Sequence, residues 1–163
     1  MTGKLTTADV IRRYEENGWC PVPYGHHPRH IKSAIKAARI KPAVKQCYAN
    51  SQRCVALQSL VNLTYAEGIA HNTDIDYHFA HAWIIDENGK HHDLTLNPLP
   101  KITCYHTFSR EEVRKHMIGN DSYDIMDDEW MYIMNVAISL KIPVDQDYEE
   151  IKKLVNQRMN DAE

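Results

Sequence analysis

The chain contains no run of about eighteen apolar residues, the length that a membrane-spanning helix requires. Met1 to Arg13 also lacks the apolar stretch of a secretory signal, so a cytoplasmic setting without membrane contact is expected. No internal repeat and no low-complexity tract occurs, which excludes solenoid and fibrous classes. No Cys-x-x-Cys pair is present, and the irregular spacing of Cys20, Cys47, Cys54 and Cys104 does not suggest a disulfide framework. Reduced thiols are therefore expected. His26 and His30 stand four apart as in a zinc helix, but His27 occupies the glutamate position of that motif and Pro28 interrupts it. Neither a metal nor an organic cofactor is expected. Acidic residues are missing altogether between Asn17 and Ala66, a stretch that holds Arg29, Lys32, Lys36, Arg39, Lys41, Lys45 and Arg53. Since the net charge is −3, the remainder of the chain is acidic. A binder of nucleic acid is disfavoured on that balance, whereas a basic rim for an anionic small molecule or an acidic partner is compatible with it.

What is present reads as one globular domain of 163 residues. Leu5 to Asn17, His30 to Ile40 and Lys45 to Leu60 carry apolar residues at helical spacing. Leu63 to Ile69, Tyr77 to Asp86 and Lys90 to Leu96 read as strands. Ser109 to Glu112 has the form of a capping box, and Asp127 to Leu140 and Val144 to Asn160 are predicted helices. Helices, then strands, then helices predict an α+β fold with an antiparallel sheet.

Three residues in this frame have complementary chemistry. Cys47 is placed near the start of the third helix, where unpaired N–H groups and the helix dipole favour a thiolate and its own N–H can serve an oxyanion. His81 follows on a strand as the base that a thiol nucleophile needs, and Asp93 on the next strand as the carboxylate that orients the imidazole. The turn between these strands decides whether the last two meet. A two-residue turn at Asn88-Gly89 would send them to opposite faces of the sheet, because side chains alternate. A three-residue turn, Glu87-Asn88-Gly89 with Gly89 left-handed, pairs Asp86 with Lys90, Trp83 with Asp93 and His81 with Thr95, and makes His81 and Asp93 diagonal neighbours. The three-residue turn is predicted. Trp83 fits a ring shielding the imidazole, with Tyr65 and Glu67 near the same face. Glu67, His91 and His92 read as surface residues, and Cys54 as core.

Cys47-Tyr48-Ala49-Asn50, Tyr65-Ala66-Glu67-Gly68, His81-Ala82-Trp83 and Asp93-Leu94-Thr95 run in the order seen in the transglutaminase-like, papain-related superfamily, which the segment from Gln46 to Pro98 resembles. It looks closest to the short bacterial and phage members. The resemblance implies a Cys-bearing helix packed on a small antiparallel sheet, with residues 46–98 as catalytic core; residues 1–41 and 101–163, which it does not cover, are expected as helical flanks. It also implies cysteine-dependent acyl transfer or hydrolysis on a peptide or carboxamide, with Cys47, His81 and Asp93 as triad. The rival expectation is a non-catalytic module on the same fold, such as an inhibitor that docks a host protein through the basic segment.

Overall fold

A computed structural model describes residues 21–22, 24–41, 46–95, 101–119 and 124–162. The predicted helix at Leu5 to Asn17, and with it Cys20, lies outside them. The chain divides into two compact units, Met1–Ile125 and Met126–Glu163. In the first, the order is α1 (Arg29–Ala37), α2 (Cys47–Ala56), β1 (Leu63–Asn72), β2 (Tyr77–Asp86), β3 (His91–His92), β4 (Lys101–Phe108) and α3 (Arg110–Gly119). The second consists of α4 (Asp128–Ser139) and α5 (Tyr148–Asp161). The chain is therefore α+β, with a four-stranded sheet ordered β3-β2-β1-β4 in which every ladder is antiparallel.

The sheet has two dressed faces. Leu63 and Tyr65 of β1 and Ala82 and Ile84 of β2 are buried in one cluster with Ile31, Ala34 and Ile35 of α1 and Cys54 and Val55 of α2. Ala66 and Trp83, whose side chains alternate to the other face, cluster there with Ile102, Ile85 and Tyr105. Tyr65 is opposite Ile84 and Ala66 opposite Trp83. Tyr65 and Glu67 thus share the helix-covered face and not that of Trp83, against the expectation.

The C-cap of α2 is Leu57, whose N–H donates to Arg53 O, and the carbonyls beyond Arg53 need other partners. Two arginines of α3 supply them: Arg110 Nε donates to Val55 O at 2.8 Å and Arg114 Nε to Ala56 O at 2.9 Å. In the second unit, Asp127 and Asp147 cap α4 and α5 through the N–H groups of Glu129 and Glu149. Trp130, Ile133, Met134 and Ala137 of α4 and Ile151 and Val155 of α5 are buried.

Residues 101–163 are not wholly helical. Lys101–Phe108 is an edge strand, paired with β1 along Tyr65↔Phe108 to His71↔Lys101. Its Thr, Tyr, Phe and Ile residues suit a pleated surface, and β1 offers it a free side. β3 is correspondingly shorter than the strand expected over Lys90 to Leu96. Its ladder holds only Ile85↔His91 and Ile84↔His92. Beyond it the backbone turns to Val22, which accepts from Asp93 N–H at 2.8 Å and donates to His91 O at 2.9 Å.

Candidate active site

Cys47 is the first residue of α2. Gln46 precedes it as a non-helical N-cap without a side-chain cap bond. At this position the N–H groups of Cys47, Tyr48 and Ala49 have no intrahelical acceptor. The thiol is therefore set among backbone donors at the positive end of the helix, with 9% of the residue exposed.

The turn that carries His81 toward Asp93 is the three-residue one. Gly89 takes φ +77°, its N–H donates to Asp86 O at 3.0 Å, and Asp86 N–H donates to Lys90 O at 2.9 Å. A side-chain contribution closes the loop further, since Asp86 Oδ1 accepts from the N–H groups of Asn88 and Lys90. The register so fixed runs through Ile84↔His92 and stops there. The pairs expected further on, Trp83 with Asp93 and His81 with Thr95, are replaced by the turn toward Val22.

The three chemically complementary residues come together. His81 Nε2 lies 2.6 Å from Asp93 Oδ2, and the Cys47 sulfur is close enough to the same imidazole to favour its charged form. With Nε2 committed to the carboxylate, Nδ1 is the nitrogen left for the sulfur. Asp93 is held on both sides, its Oδ1 accepting Thr95 N–H at 2.8 Å. Both His81 and Asp93 are buried, at 2% and 0% exposure. No family model, curated protein or solved structure matches the chain.

Burial works against a charge on His81, but the Asp93 carboxylate, its hydrogen bond to the ring and the Cys47 sulfur outweigh it and raise the imidazole to about 9. Burial pushes both Cys54 and Cys104 up to about 12, and Cys54 is fully buried in the core as expected. Trp83 lies flat beside His81, with ring centroids 6.0 Å apart and planes at 26°, on the side away from Phe79, whose ring is 5.6 Å from the imidazole.

Behind Asp93 lies a buried polar network that the sequence reading placed at the surface. His91 is 8% exposed and His92 fully buried. Trp83 Nε1 donates to His91 Nδ1 at 2.8 Å, and His92 Nε2 meets Asp86 Oδ2 at 2.9 Å. His27 Nδ1 lies 3.4 Å from His92 Nδ1, and burial drops His27 to about 3 and His91 to about 4. The available signal was the indole itself: a buried Trp N–H needs an acceptor. Glu67 is likewise buried, taking the Tyr65 hydroxyl at 2.8 Å and the N–H of Ile125. Gln52 Nε2 joins this chain at Tyr65 Oη, 3.3 Å away.

Every described member of the basic segment (Arg29, Lys32, Lys36, Arg39, Lys41 and Arg53) is exposed. Lys32 and Lys36 also line a cavity of about 510 Å³ with Tyr24, His27, Ile35 and Ile40, within the size range of small-ligand pockets. Among the described residues no helix is long and apolar enough to cross a membrane.

Proposed function

We propose that this protein is a transglutaminase-like cysteine enzyme that transfers or hydrolyses acyl groups of a peptide or carboxamide. The observation that carries the reading is the grouping of Cys47, His81 and Asp93, with Asp93 Oδ2 2.6 Å from Nε2 and the Cys47 sulfur near enough to the ring to favour its charged form. Support also comes from the frame around it: a Cys-led helix, an antiparallel sheet, and a strand-borne histidine oriented by a carboxylate beyond the next turn. Each group has a role that the others make useful.

In the proposed reaction the Cys47 sulfur attacks the carbonyl carbon while N–H groups of the first turn of α2 receive the developing oxyanion. The S–C bond forms, the C–N bond breaks, and His81 gives its proton to the departing amine. Water then attacks the thioester, His81 taking its proton, the C–S bond breaks, and the acid leaves as the Cys47 thiolate beside protonated His81 is restored. An incoming amine in place of water gives transfer. Asp93 keeps the ring in one tautomer and stabilises its charged form throughout. The Lys32–Lys36 cavity is the proposed place for an anionic small molecule or an acidic substrate group.

The test is iodoacetamide alkylation followed site by site by mass spectrometry across pH, on the wild type and on His81→Ala. Cys47 is expected to react fastest at neutral pH, well ahead of Cys54 and Cys104, and to slow about tenfold or more without His81. A Cys47 that reacts no faster than those two, or at the same rate without His81, would sink the catalytic reading. The binding module would then take its place, provided that Cys47→Ala leaves the biological effect intact.

A further inference from the structure

The turn joining β1 to β2 gathers three metal-ligating side chains away from Cys47, an observation independent of the function proposed above. His71 and His78 are cross-strand partners, and their rings stack with centroids 4.0 Å apart and planes within 1°. Between them in sequence, Asp76 takes φ +48°, a left-handed conformation that aspartate tolerates better than most residues. Its Oδ1 lies 2.8 Å from His71 Nε2. One ligand atom from each of the three residues lies within 4.8 Å of the other two.

We propose that His71, Asp76 and His78 bind a divalent transition-metal ion at this turn, with Zn²⁺ the best fit. Two imidazole nitrogens and one carboxylate oxygen form a three-ligand set that zinc accepts, water completing the tetrahedron. Calcium and magnesium, which favour oxygen cages, are poorly served by two imidazoles. Zinc bonds of about 2.1 Å place neighbouring donors about 3.4 Å apart, so the wider pairs need to close by no more than about 1.5 Å and the His71–Asp76 pair, at 2.8 Å, to open by about 0.6 Å. Asp76 is largely exposed and has room for most of that movement, while the two histidines are half-buried. The ion ties the loop that ends the β1–β2 ladder. His78 is three residues from His81, on the opposite face of the strand by alternation, so the ion stiffens the hairpin without touching the reacting atoms.

The experiment is a calorimetric titration of the full chain with ZnCl₂, using Cys47→Ser as parent so that the reactive thiol does not compete. The parent is expected to take up one zinc per chain, and both His78→Ala and Asp76→Asn to weaken that uptake at least tenfold. A rise in melting temperature with zinc should accompany binding in the parent and vanish in Asp76→Asn, an exposed substitution that leaves the fold intact. No one-to-one binding by the parent, or unchanged affinity in the two variants, overturns the site. Equal binding of MgCl₂ overturns the assignment to a transition metal.

Discussion

Asp93 is fixed at three points: its backbone N–H on Val22 O, its Oδ1 on Thr95 N–H and its Oδ2 on His81. A carboxylate held so firmly can decide which way the imidazole faces and how readily it keeps a proton. With a pKa of about 9, His81 stays protonated through neutral pH. In the proposed reaction that proton goes to the leaving amine, so turnover should fall as pH rises through about 9. Asp93→Asn removes the largest influence holding the proton and leaves burial, which acts in the opposite direction. The alkaline limb is therefore expected to move to lower pH, with turnover reduced by about 10²–10⁴-fold, as for other triad carboxylates. A pH–rate profile of the variant checks both, and a limb left in place would show that Asp93 does not govern the ring. The meeting of His81 with Asp93 was legible because the turn length sets which strand residues face each other, and Cys47 because it opens a helix. Glu67, His91 and His92 were not. Their burial depends on partners distant in sequence, such as Ile125 N–H for Glu67 and the strand-like contact of Val22 beside β3.

Among the elements, β2 spans the predicted residues, and the Gly89 turn has the predicted length. β4 escaped notice for a physical reason. A bulge between Ile69 and Ala70 sets Ile69 opposite Cys104 but Ala70 opposite Ile102, leaving Thr103 as the extra residue. Ile102 and Tyr105 then pack on the same Trp83 cluster despite opposite parity, so no two-residue period marks the strand. The close approach of β4 also explains Gly68, which pairs with His81 on one side and Tyr105 on the other. A Cβ at Gly68 would collide with the Cys104 carbonyl and come within 2.6 Å of Tyr105 Cα. Gly68→Ala is thus expected to cost about 1–3 kcal/mol by overpacking. At Gly89 a Cβ meets nothing within 4 Å, so Gly89→Ala should cost only the left-handed backbone penalty, about 1 kcal/mol. Urea unfolding of the two variants tests the contrast, and a Gly68→Ala chain as stable as the wild type would rule out this packing of β4.

At the scale of the whole molecule, the buried histidines couple folding to pH. His27 and His91 are neutral in the fold because burial, reinforced by the neighbouring His92, opposes their charging, with values of about 3 and 4. In the unfolded chain each would take a proton near pH 6.5. Between these limits the unfolded chain binds more protons than the folded one, so stability rises with pH in that interval and falls on acidification. The loss begins as pH drops below about 6.5 and continues toward about 4 for His91 and about 3 for His27. Each histidine contributes a slope of about 1.4 kcal/mol per pH unit where only the unfolded form is protonated. Carboxylates add their own losses at the low end, Asp86 included, since hydrogen bonds from His92 and the turn N–H groups hold its carboxyl below the usual range despite burial. The histidine share is recognisable because it starts two units higher. Unfolding free energies measured from pH 7 to pH 5 should fall steadily in the wild type and less steeply in His27→Gln, which keeps a donor for His92 but cannot titrate. Equal slopes in the two proteins would mean that His27 is solvated and charged in the fold, and that the network behind Asp93 is not closed to water.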